Sequence, residues 1–238
     1  MNETQHIASA FDRDLEAVQA MIMKMGGLVE AAILDSVISL EKRDPQLAQE
    51  VRRGDRVIDT MEERITEEVA RVIALRAPMG SDLRTVLSVM KISGNLERIG
   101  DYAKNIAKRS KVLVEMPQVG GATSAVRRMA RDVEAMLKDA LDAYIQRDTS
   151  LAEDVRERDL EVDQMYNALF REILTHMMED PRNITSCMHL HFIAKNIERM
   201  GDHVTTIAEQ VIYLVTGELP DEERPKGDRS SFVTSPAE

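Results

Sequence analysis

Tryptophan is absent, cysteine occurs once, and tyrosine and phenylalanine contribute only 4 residues each to 238. So few rings offer no run of stacking platforms for single-stranded nucleic acid. The net charge is −11 with no compensating basic run, so the surface repels phosphate backbones and anionic lipid. Nucleic acid is therefore set aside as a partner. The lone Cys187 excludes an intramolecular disulfide and a cysteine-based zinc site, which fits a reducing compartment. Proline and glycine are also scarce, at 7 and 11 residues, whereas a β-sandwich or barrel needs frequent turns between β-branched and aromatic strands. No apolar run approaches the length that spans a bilayer, and residues 1 to 15 carry acids where a secretory signal carries a basic start. A cytoplasmic protein is expected, peripheral to membrane proteins at most.

What is present is Ala, Leu, Met, Glu, Arg and Ile in long stretches, the usage of amphipathic helices. All-α is the expected class. The chain also repeats itself: Asn95-Leu96-Glu97-Arg98-Ile99-Gly100-Asp101 returns as Asn196-Ile197-Glu198-Arg199-Met200-Gly201-Asp202. Upstream, Arg43-Asp44 with Leu47, Ala48, Val51, Asp55, Asp59 and Met61 returns as Arg147-Asp148 with Leu151, Ala152, Val155, Asp159, Asp163 and Met165. The offsets are 101 and 104 residues, and the slippage falls at Pro78 and Pro181, where loops absorb length changes.

Turn residues divide each copy into three helices, expected at 7 to 42, 45 to 76 and 81 to 112, then 122 to 146, 149 to 178 and 184 to 216, with Ser81 and Asn183 as N-caps. Short connections make neighbours antiparallel. The architecture expected is two tandem three-helix bundles, one over 1 to 116 and one over 117 to 217. The unperiodic, Pro- and charge-rich segment 218 to 238 is expected to be a disordered tail.

In the third helix Val89, Ile92, Leu96, Ile99, Ala103 and Ile106 make one apolar seam, matched by Ile193, Ile197, Met200, Val204, Ile207 and Val211. Glu97 and Asp101 project roughly 130° to 170° from that seam, as do Glu198 and Asp202, so these acids are expected to face away from the core. The second helix carries its seam on Leu47, Val51, Gly54, Ile58, Met61, Ile65 and Val72. Asp55 and Asp59 lie at its edge, roughly 80° to 120° off centre, within reach of a neighbouring helix.

Each unit thus holds two acidic pairs at i, i+4, Asp55/Asp59 with Glu97/Asp101 and Asp159/Asp163 with Glu198/Asp202. An acid on a helix surface is ordinarily just solvated. Like charges so spaced cost a helix about 0.2–0.5 kcal/mol, and both copies keep them. Gly100 and Gly201 recur beside the acid although glycine costs about 1 kcal/mol in a helix interior, which calls for a close helix approach or a ligand against the backbone. Carboxylates from two helices suit hard or borderline cations such as magnesium, manganese or iron, and several acids together favour more than one ion. His203 is a possible auxiliary ligand in the second copy, where the first has Tyr102. His189 and His191 leave a helix on different sides, so they do not ligate one ion together.

The strings Leu96-Glu97-Arg98-Ile99-Gly100-Asp101 and Ile197-Glu198-Arg199-Met200-Gly201-Asp202, followed by Asn105-Ile106-Ala107 and Thr206-Ile207-Ala208, resemble the signature of the PhoU family of phosphate-uptake regulators. The turn Arg76-Ala77-Pro78-Met79-Gly80-Ser81-Asp82-Leu83-Arg84 is similar to that family's second-to-third helix connection, whereas the second copy has Pro181-Arg182-Asn183 there. The resemblance runs from about residue 7 to 216. It implies two three-helix bundles, a frequent homodimer, and multinuclear metal clusters of iron, zinc, manganese or magnesium. The metal positions it implies here are Asp55, Asp59, Glu97 and Asp101, and Asp159, Asp163, Glu198 and Asp202. It also implies a negative regulator of the phosphate-starvation response, an adaptor coupling the ATPase of a phosphate ABC transporter to a sensor histidine kinase.

The competing reading is a carboxylate-bridged di-iron enzyme or ferritin-like metal store. Those sites face the bundle interior and use Glu-x-x-His pairs, which the motif helices lack. No nucleophile with a base and no glycine-rich phosphate loop occurs, so no enzyme activity is expected.

Overall fold

The computed structural model describes residues 3–220, with side chains from residue 10 onward. Of the tail expected at 218 to 238, all beyond 220 lies outside the described residues. Six helices follow in order: α1 Glu3–Glu41, α2 Pro45–Arg76, α3 Ser81–Leu113, α4 Ala122–Gln146, α5 Thr149–Glu179 and α6 Ile184–Thr216. A short 3-10 turn, Pro181–Asn183, leads into α6. Helices α1, α2 and α3 pack mutually, as do α4, α5 and α6, so the fold is two tandem three-helix bundles. Equivalent helices also meet between the bundles, α3 on α6 and α1 on α4.

The breaks follow from local chemistry. Asp44 and Asp148 are extended residues whose carboxylates accept from the backbone N–H groups two and three residues on, which satisfies donors that the first helical turn leaves free. Pro45 occupies the first helical position, where no N–H is needed. Ala77 and Arg147 end α2 and α4 in the left-handed region at φ 44° and 53°. Neither expected cap forms a side-chain cap bond. Gly80, at φ 56°, precedes α3 and Ser81 is already helical, while Asn183 has helical dihedrals at the end of the 3-10 turn.

Burial comes from seams at helical spacing. On α1 these are Val18, Ile22, Met25, Val29, Ile33 and Val37, and the seams expected on the third helices are buried throughout. On α2 the seam departs from expectation at Gly54, which is exposed, and Asp55 is buried beside it. The buried side chains of all six helices join in one hydrophobic core that continues from one bundle into the other.

Candidate metal centre

The eight carboxylates occupy the α2–α3 seam of the first unit and the α5–α6 seam of the second. Both are more enclosed than the angles from the apolar seam imply: Asp55 is 3 % exposed, Asp159 5 %, Asp163 6 % and Glu198 6 %. Glu198 therefore corrects the expectation that the third-helix acids face away from the core. Helix α5 packs on α6, and its Asp163 stands near enough to Glu198 to raise that pKa, so α5 covers a flank that lies well away from the apolar seam of α6. Glu97 and Asp101 on α3 remain only partly buried.

In the first unit Lys104 Nζ lies 2.5 Å from Asp55 Oδ2 and 3.2 Å from Asp101 Oδ1, bridging α2 to α3. Both Asp55 oxygens are buried without a hydrogen-bond partner, so Lys104 meets Oδ2 as an ion pair. Arg98 stands 3.6 Å from Glu97 and 3.9 Å from Asp101. Burial, then neighbouring acids, raise the pKa of Asp59 and of Glu97 above the ordinary carboxylate values. The pairing with Asp55 leads the causes that raise the Lys104 pKa.

In the second unit Lys195 Nζ lies 2.8 Å from Glu198 Oε1, and Glu198 Oε2 is buried without a partner. Burial is the largest cause raising the Glu198 pKa; Lys195 opposes it, and Asp202 and Asp163 add to it. A cavity of about 420 Å³ opens here, lined by Tyr102, Asp163, Lys195, Glu198, Arg199, Asp202 and His203. It draws on both units. His203 Nδ1 donates to Asn95 Oδ1 at 2.8 Å, and its ring centroid lies 5.6 Å from that of Tyr102, its counterpart in the repeat. Burial lowers the His203 pKa. His189 and His191 diverge as expected: the first meets Arg109 at 3.4 Å, and the second lies among Tyr166, Phe170 and Phe192.

The two glycines have a packing reason. A methyl group at Gly100 would come 3.1 Å from Ile58 Cδ1 of α2, and one at Gly201 would come 2.8 Å from Asp159 Oδ1 of α5. Each glycine lets the second helix of its unit approach the third.

The donor chemistry fits a hard cation, because buried carboxylate oxygens without hydrogen-bond partners are costly unless charge meets them. The arrangement is another matter. Among the described residues no three Asp, Glu, His or Cys side chains converge as a ligand set. Lysine closes these clusters instead. Sequence reasoning passed over both lysines, although each stands at i, i+3 from a motif acid, Lys104 after Asp101 and Lys195 before Glu198.

The fold and the site define a class: an all-helical protein of duplicated bundles, each carrying a paired acidic motif between its second and third helices. The PhoU domain profile matches it twice, at residues 22–110 and 126–211. A phosphate-specific transport system accessory protein PhoU homolog of Rhizobium meliloti is 46% identical over 238 residues, covering 97% of each chain. Its Caulobacter vibrioides counterpart is 45% identical over 225 residues, 94% of this chain and 98% of that one. Two crystal structures are also similar. PhoU from Pseudomonas aeruginosa has a TM-score of 0.85 at 42% identity, covering 87% of this chain and 100% of that one. The phosphate transport system regulatory protein PhoU from Streptococcus pneumoniae has a TM-score of 0.81 at 30% identity, covering 89% and 100%. The chain belongs to the PhoU family.

Proposed function

We propose that this protein is a non-enzymatic regulator of phosphate uptake: a cytoplasmic adaptor that contacts a phosphate ABC transporter ATPase and a sensor histidine kinase and holds the phosphate-starvation response off when phosphate is plentiful. The observation that carries the reading is likeness to phosphate-transport accessory proteins along nearly the whole chain, through both units. The acidic surface and the lack of any described helix able to cross a membrane fit an adaptor that reaches the membrane through protein contacts. A deletion strain should express starvation genes in phosphate-rich medium, and the tagged protein should bring down the ATPase or the kinase from membranes. Normal repression in the deletion strain, with neither partner recovered, rejects the adaptor role.

The same reading includes metal binding by Asp55, Asp59, Glu97 and Asp101 and by Asp159, Asp163, Glu198 and Asp202, with iron, manganese, zinc or magnesium adding positive charge to clusters of four acids each. Elemental analysis should find metal above the buffer blank. Asp101→Asn with Asp202→Asn, at two partly exposed positions, should lower it while leaving helical circular dichroism intact. Unchanged metal content removes these residues from the site.

A further inference from the structure

The repeat keeps its carboxylates in register but not its lysines. Lys104 corresponds to Thr205, which is fully buried with its hydroxyl donating to Gly201 O at 2.9 Å, so the second unit has no room for an ammonium there. Lys195 corresponds to Gly94, where even a Cβ would meet nothing within 4 Å. The two acidic clusters thus acquired their cations from opposite ends of the motif. In the first, one ammonium spans Asp55 of α2 and Asp101 of α3, the two helices that supply every acid of that cluster. In the second, the ammonium meets Glu198 at the start of the motif and stands over the Tyr166 ring, 5.0 Å from its centroid.

From this geometry we infer that Lys104 is a built-in counter-cation: its ammonium closes the first cluster by neutralising Asp55, and a divalent cation reaches Asp55 and Asp101 only by displacing it. The inference rests on the metal-binding part of the reading above. A carboxylate 3 % exposed, with neither oxygen hydrogen-bonded and Oδ2 held by the Lys104 ion pair, stays ionised only against a cation. Lysine suits a displaceable role, because it is a point charge on a flexible stem and its side chain here is 41% exposed, leaving it free to swing into water. The duplicated sites are therefore unequal by construction, each cation entering against a lysine held at a different point.

The test uses the full-length, metal-free protein, with free Mn²⁺ followed by electron paramagnetic resonance and stability by thermal melting. Lys104→Met should bind Mn²⁺ at least about tenfold more tightly at one class of site, since a positive charge leaves the cluster. Without metal it should melt about 4 °C or more below wild type, Asp55 being left uncompensated. Adding Asp55→Asn should restore the melting temperature and abolish the gain in affinity, and Lys104→Arg, which keeps the charge, should behave as wild type. Mn²⁺ binding by wild type that Lys104→Met does not strengthen overturns the displacement while leaving metal binding in place. Absence of Mn²⁺ binding in wild type and Lys104→Met alike overturns both. A metal-free Lys104→Met protein as stable as wild type overturns the counter-cation role.

Discussion

Glu30 on α1 is raised in pKa by burial first and then by Glu134 and Asp142 of α4, with Lys138 pulling the other way. Its folded value lies above its unfolded one, so the folded state binds protons more readily. The contribution is full below the ordinary value of 4.5 and is lost as pH rises through the raised folded value. At pH 7.5 the charge is a net burden, and Glu30→Gln should raise the melting temperature by about 1–2 °C, a modest figure because the group is largely solvent-screened. At pH 4 the two proteins should melt together; an equal gain at both values would assign the effect to packing instead of charge. The site shows the same limit on what single residues disclose. All eight motif acids could be read from the repeat, because duplication marks a position however it packs. Their burial could not, since the angle from an apolar seam accounts for one neighbour, and Glu198 is covered by a different one. That burial weakens, for the second unit, one of the two grounds for setting a ferritin-like site aside, the lack of Glu-x-x-His pairs on the motif helices being the other.

Helix limits were legible to within a residue or two for five of the six helices, because Asp44, Pro45, Pro78, Asp148 and Pro181 act locally. Side-chain capping at Ser81 and Asn183 was misjudged because the chain enters α3 through a glycine at positive φ and α6 through a 3-10 turn, conformations that leave those side chains no capping geometry. Glycines within helices divide by what lies opposite them. At Gly54 of α2 nothing lies within 4 Å of an added Cβ, so Gly54→Ala should gain about 0.5–1 kcal/mol of helix stability. At Gly201 the added methyl would meet the buried Asp159 carboxylate at 2.8 Å, so Gly201→Ala should lose about 1–3 kcal/mol. Chemical denaturation of the metal-free proteins measures both. A Gly201→Ala protein as stable as Gly54→Ala would mean that the Asp159 carboxylate turns aside at no cost.

Across the whole molecule, the third helices carry the packing that joins the two units. Met90 packs against the core and Ile92 is fully buried, and α3 serves its own bundle and α6 at once. Association of the two units was the part least legible in the sequence, because a repeat shows that each unit has a core without showing that the cores join. Ile99 and Ala103 on α3 and Met200 and Val204 on α6 are all fully buried on helices that pack across the boundary, and the α1–α4 contact closes a second junction. Separating the units would expose these faces at about 25 cal/mol for each Å² of apolar surface, more than a marginally stable half can lose. The metal-free protein should therefore unfold in a single transition, with equal calorimetric and van't Hoff enthalpies. The unit with the weaker helix contacts has no route to melt first, since opening it uncovers the other's third helix. Two resolved transitions in a calorimetric scan, or a van't Hoff enthalpy near half the calorimetric one, would instead make each three-helix bundle an independent folding unit and the α3–α6 contact a docking interface.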